Sequence, residues 1–282
     1  MYYIPDTLRM QVMSSDTSRR RVLLGIGTVA TVGLAGCGGE GGESSPTGTV
    51  DSTETDGGMA PETETETDTD GGEMSEMAMV RVSHMSPDAP NVDVYVDGTA
   101  VLEDVAFGTT SSYLELAAGD HDVEITAAGD RSTSVFDDTI TVEADTAYTV
   151  AAAGEISDGA DEAFAPEILV DDTSSPGGDT ARLRLVHLSP DAPAVDVTAA
   201  GGDVVLFDGV DYTESGSTEL DANDYTVEVR GDTESNDGDV VADFDVSLNG
   251  GTGYTAFAAG YLTPDDEPSD TGFDLFVTQD SG

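Results

Sequence analysis

Residues 84–94, HMSPDAPNVDV, return at 187–197 as HLSPDAPAVDV, identical at nine of eleven positions. A match this close at one fixed offset restricts the chain to two copies of a single unit, folded the same way twice. The correspondence continues downstream. LAAGDHDVEI at 116–125 matches LDANDYTVEV at 220–229, YTVAAAG at 148–154 matches YTAFAAG at 254–260, and EILV at 167–170 matches DLFV at 274–277. The copies run from about Val80 to Val170 and from about Arg182 to Val277, joined by a stretch containing Pro176, Gly177 and Gly178.

Within each copy the apolar period is two, the mark of a half-buried strand. Val92, Val94 and Val96 alternate with Asp93 and Tyr95, and Asp97-Gly98 then supplies a hairpin turn. Val123 and Ile125 alternate with Asp122 and Glu124, as Ile140 and Val142 do with Thr139, Thr141 and Glu143. Seven or eight such segments fit each copy, the spacing of a β-sandwich. The second face of each strand, rich in Asp and Glu, reads as solvent-facing. The predicted fold is all-β: two tandem immunoglobulin-like or transthyretin-like β-sandwich domains after a disordered acidic tether. The expected boundaries are 1–36 for a signal peptide with lipobox, 37–78 for the tether, 79–172 for the first sandwich, 173–180 for the linker and 181–280 for the second sandwich.

The repeated motif reads as a rigid corner. Parity places His84 on the face of Val80 and Val82, and His187 on the face of Leu183 and Leu185, so both imidazoles point coreward at a strand end. Ser86-Pro87 and Ser189-Pro190 suit a type I turn, and Pro90 and Pro193 start the next strand. A buried imidazole needs a partner in that corner, from the backbone or from Asp88 and Asp191. The alternative is a ligand cluster of His84, Ser86, Asp88 and Asp93, repeated as His187, Ser189, Asp191 and Asp196.

The S-P-D-A-P corner, followed by VDVYVDG at 92–98 and by LAAGDHDVEI, resembles the domain of unknown function 4397. The resemblance extends over both repeats, although the second departs from it after Val197, where TAAG stands at 198–201. It implies a sandwich domain of surface or secreted bacterial and archaeal proteins. No activity is established for that family, so it brings no site residues.

The charge narrows the partners. The chain carries 58 acidic residues against nine arginines, with no lysine, for a net charge of −49. Such a surface repels nucleic acid and anionic headgroups. With a well-patterned core, the excess reads as adaptation to multimolar salt in a halophilic archaeon, where screening lengths fall to about 3 Å. Near the N-terminus, Arg19 and Arg20 precede an apolar run at 22–35 of 14 residues, too short to span a bilayer. This is the pattern of a Tat export signal. It ends at Cys37, the one cysteine, in the LAGCG setting of a lipobox where the thiol is lipidated. The Thr/Glu/Asp/Gly-rich stretch that follows has no apolar periodicity and reads as a tether.

These features predict a lipid-anchored cell-surface binding or interaction module without catalysis, on the extracellular face of the membrane. Its expected partners are the membrane, through the lipid, and a cell-surface glycan or surface-layer protein, on which two copies would add avidity. The alternatives are a structural envelope lipoprotein, a calcium-binding surface domain and a hydrolase. No cofactor is expected; calcium is the one ion that the oxygen-rich loops would admit, although no D-x-[DN]-x-[DN]-G spacing occurs. A copper site fails because its thiolate ligand is missing beyond Cys37. A serine hydrolase built on Ser86 or Ser189 lacks a Gly-x-Ser-x-Gly elbow.

Overall fold

The structure is a computed structural model that describes residues 76–281 except Asp161. Arg19, Arg20, Cys37 and nearly all of the expected tether lie outside the described residues.

The first copy comprises β1 (Met77–His84), β2 (Val92–Val96), β3 (Thr99–Val105), β4 (Leu114–Ala117), β5 (Gly119–Ala127), β6 (Asp130–Val142), β7 (Ala147–Ala153) and β8 (Ala165–Asp171). The second comprises β9 (Thr180–Leu188), β10 (Val195–Ala199), β11 (Val204–Val210), β12 (Ser215–Asp221), β13 (Asp224–Gly231), β14 (Val240–Ser247), β15 (Gly253–Ala259) and β16 (Asp274–Ser281). Each copy folds into two four-stranded sheets with the same order: β4-β1-β7-β8 over β3-β2-β5-β6, and β12-β9-β15-β16 over β11-β10-β13-β14. The protein is therefore all-β, two sandwiches in tandem. β1 begins at Met77, β9 at Thr180 and β16 runs to Ser281, so each sandwich overruns its expected limits by a residue or two; pairing of Met77 with Ala117 and of Thr180 with Asp221 carries these ends.

The period-two residues fill the cores. Val80, Val82, Val94, Val123, Ile125 and Ile140 meet in the first, and Leu183, Leu185, Val197, Val227, Val229 and Val246 in the second. At ~25 cal/mol per Å² of apolar surface removed from water, such clusters are the main source of stability. The first hairpin follows the sequence: Asp97 and Gly98 take φ of 50° and 76°, the pair of left-handed residues that a type I′ turn requires.

The second face of the inner strands departs from the expectation. β7 (AYTVAAA) and β15 (GYTAFAA) are buried along their whole length. Tyr148 and Val150 face their own core, as Tyr254 and Ala256 do, while Ala151, Ala153, Phe257 and Ala259 form a further cluster with Met85, Val186 and Leu188. That cluster joins the two copies, which belong to one compact unit. The inner sheets thus pack face to face, and the described residues form a stack of four sheets. Small alanines let the two inner sheets approach, and continuous apolar runs are what a strand buried on both faces must show. The linker is fastened as well: Arg182 donates to the carbonyls of Asp172 (3.2 Å) and Ser174 (3.1 Å).

Candidate functional site

The eight motif residues end up in matching positions, and most of their hydrogen bonds run to backbone. His84 leaves β1 fully buried. Its Nε2 lies 3.0 Å from the Pro90 carbonyl, and the Ser86 N–H points at Nδ1 from 3.4 Å. His187 repeats this with Pro193 (3.1 Å) and Ser189 (3.3 Å). A carbonyl can only accept, so Nε2 carries the proton and Nδ1 receives; each imidazole is the neutral Nε2–H tautomer. Burial lowers both pKa values from the ordinary histidine value, with the proline carbonyls pulling the other way.

The carboxylates of the motif act as clamps. Asp88 accepts from the amides of Ile156 and Ser157, each at 2.9 Å, and Asp191 from Leu262 (2.8 Å) and Thr263 (2.7 Å). Each ties the corner to the loop after β7 or β15. Asp93 accepts from Asp104 (2.8 Å) and Gly129 (2.9 Å), and Asp196 from Gly209 and Thr233, each at 2.9 Å. These close the neighbouring hairpins. Ser189 Oγ donates to the Gly260 carbonyl at 2.6 Å, whereas Ser86 Oγ stands 3.5 Å from Asp88. The arrangement does not pair either serine hydroxyl with an imidazole nitrogen, because Nδ1 already receives an amide and Nε2 already donates. No base–nucleophile couple results from these eight side chains.

The residues that the motif brings to the junction of the copies were not visible as a site in the sequence. Met85 and Leu188, the variable second letters of the repeated motif, enter the apolar cluster between the copies. On the same faces Arg81 and Arg184 reach across. Arg81 is 1% exposed; its Nε donates to Thr149 Oγ1 at 2.8 Å and its other nitrogens engage Asp280 and the Gln279 carbonyl. Arg184 donates to Thr255 Oγ1 at 3.0 Å, to the Val170 carbonyl at 3.1 Å and to Asp171. Each arginine therefore binds a threonine of its own copy and an aspartate of the other. The contact is self-complementary, as in an isologous dimer. Tyr113 and Thr149 also donate to Asp171, each at 2.6 Å, and Tyr261 donates to Glu155 of the first copy at 2.7 Å. The hydroxyls of Ser269 and Thr271 reach the Pro87 carbonyl, both at 2.8 Å, so the second copy caps the corner of the first. One signal in the sequence could have revealed this face: an arginine at matching positions of both copies, on an otherwise acidic chain.

Metal-holding groups gather at one place among the described residues. Carboxylate oxygens of Asp196, Asp208 and Asp232 lie within 4.8 Å of one another. With its amide turned so that nitrogen faces them, Asn236 donates to Asp208 at 2.7 Å and to Asp196 at 2.9 Å. That donor accounts for the closeness of these two carboxylates without a cation. Asp232 is raised from the ordinary carboxylate value by desolvation and by the charges of Asp196 and Asp208. In the first copy Glu103 and Ala128 stand at the places of Asp208 and Asp232, so the cluster is not duplicated.

Among solved structures, the chain shares 9% identity and a TM-score of 0.22 with the Bacillus anthracis TIE protein, over 65% of this chain and 34% of that one. The chain thus spans about a third of that protein's length. It shares 9% identity and a TM-score of 0.23 with a streptococcal virulence factor described as binding alpha-glucan, over 71% of this chain and 96% of the other. With the fimbrial anchor protein Mfa2 from Porphyromonas gingivalis the figures are 12% and 0.16, over 72% and 97%. TM-scores this low carry no argument about the present chain. No curated protein matches it in sequence. Residues 78–198, from β1 into β10, match the family model described as "Domain of unknown function (DUF4397)".

Proposed function

We propose that this chain is a non-catalytic surface interaction module of a halophilic archaeon, exported through its twin arginines Arg19 and Arg20 and held to the membrane by a lipid on Cys37. The observation that carries the reading is the use made of the duplicated motif. Its histidines and aspartates hold corners and loops in place, and its second residue fastens one copy to the other. What remains for function is the outer surface of one stiff block.

The stack refines the expected avidity. With the inner sheets face to face, the equivalent outer sheets point in opposite directions, about 30 Å apart at ~10 Å per layer. Both cannot lie flat on one lattice. A glycan or surface-layer protein is therefore engaged by one outer face, or two partners by two faces.

The test is binding of the purified block, residues 76–282, to envelopes stripped of the native protein, in multimolar KCl. Saturable binding, with release of the full chain into the medium by Cys37→Ser, supports an anchored interaction module. Absence of binding would favour a structural envelope lipoprotein. Detection must avoid amine chemistry, since the chain has no lysine.

A further inference from the structure

The first sandwich contains a cavity of 70 Å³ between its sheets, lined among others by Val80, Val94, Val101, Leu114, Leu116 and Ile140. Its one acidic neighbour, Glu115, is exposed to solvent. The mouth lies on the side of β3 and β4, where Val101 is 37% exposed.

The second sandwich differs at the lining. The registers of β2 with β3 and of β10 with β11 place Leu206 at the position of Val101 and Phe207 at that of Leu102. Leu206 and Phe207 are both 7% exposed, and the Phe207 ring lies so near Gly216 that a methyl group there would stand 3.0 Å from it. At these two positions the second copy thus carries larger side chains, both nearly buried.

The chemistry of the cavity selects its ligand. Valine, leucine and isoleucine offer no hydrogen bond, so a polar group placed there would be left unsatisfied. Its volume is about half that of a ~150 Å³ apolar cavity known to take benzene, so it suits a narrow chain end and not a ring. At the short screening length of multimolar salt only a neighbouring charge matters, and the Glu115 carboxylate beside the cavity disfavours an anionic headgroup there. We propose that this cavity binds the end of a saturated alkyl chain carried by an uncharged molecule. This site is separate from the outer-face binding proposed above, and either can fail without the other.

The test uses the full chain in multimolar KCl with octyl glucoside below its micelle concentration, followed by methyl NMR. Saturable shifts are expected at Val101, Leu114 and Leu116, with affinity at least tenfold weaker in Val101→Phe. Leu206→Ala should create the same response in the second sandwich. If Val101→Phe does not fold, Val101→Leu, the residue of the second copy, takes its place. Non-saturating shifts, shifts spread over the surface, or equal affinity in the filled variants would each overturn the proposal.

Discussion

Replacing Arg81 by alanine tests the junction between the copies most directly. Arg81 is 1% exposed and supplies the guanidinium that neutralises Asp280, with its Nε also 3.6 Å from Asp171. Asp171 would keep Arg184, Tyr113 and Thr149, but Asp280 would keep only the Thr255 hydroxyl among its bonds described here. The Asp280 side chain is 7% exposed, so its charge would be left nearly dry. Removing one partner of a buried pair costs roughly 3–5 kcal/mol, because the other charge stays desolvated. For folded units of 150–250 residues, ~1 kcal/mol shifts Tm by about 2–4 °C, so a fall of roughly 6–20 °C is expected. Calorimetry in 1 M and 3 M KCl is the assay. A buried pair is screened far less than an exposed one, so the loss should persist at high salt. Arg131→Ala, which removes an exposed pair with Glu124, should leave the melt unchanged at both concentrations. Asp280→Ala combined with Arg81→Ala should cost less than the sum of the two single changes. An unchanged Tm for Arg81→Ala, or full additivity with Asp280→Ala, would refute the reasoning.

Three further outcomes are expected. Gly108 has φ +77° and a methyl group there would lie 2.3 Å from the Phe276 ring of the other copy, so Gly108→Val should part the copies, read as a wider small-angle scattering profile with unchanged far-ultraviolet circular dichroism. Histidine NMR titration should separate the three imidazoles. Burial keeps His84 and His187 neutral to below the ordinary value near 6.5, so their contribution to stability is present above pH ~6.5 and is lost as pH falls through their lowered values. For His121, desolvation lowers the pKa but is outweighed by the Asp97 carboxylate and the Ala117 carbonyl, which raise it; its contribution is full below pH ~6.5 and is lost as pH rises through the raised value, and His121→Gln should remove that dependence. EDTA in high salt should leave Tm unchanged, because the Asn236 amide already bridges Asp196 and Asp208; a drop of several degrees would place calcium among Asp196, Asp208 and Asp232.

The strands were legible because their alternation is a local property: Val92 and Val94 declare one face of β2 whatever lies beyond it. The same logic misreads a strand that has two buried faces. In β7 the run AYTVAAA lacks a charged face, which is the mark of burial on both sides, but it does not say which layer covers the second face; its alanines set the distance at which another sheet can lie. Arg81, flanked by Val80 and Val82, reads as an outward residue by parity, and it is outward with respect to its own sandwich; only the other copy makes that position interior. The corner was legible for a different reason. Proline restricts its own φ and that of the residue before it, so Pro87 and Pro90 restrict the path between β1 and β2 without distant help. The partners of Asp88 and Asp191 were not, since the amides they bind lie 68 to 72 residues away in sequence.

The position of β1 also bears on how the molecule carries load. The preceding chain enters the block at Met77 on a strand paired on both sides, antiparallel with β4 over Met77 to Val80 and parallel with β7 over Met79 to His84. A pull delivered along that entry runs parallel to the strand and therefore crosswise to its hydrogen bonds. The two ladders must then slip together, sharing the tension, instead of opening one bond at a time from an edge. Loaded through β1, the block would therefore resist traction applied along the preceding chain more firmly than it would resist peeling from an edge strand.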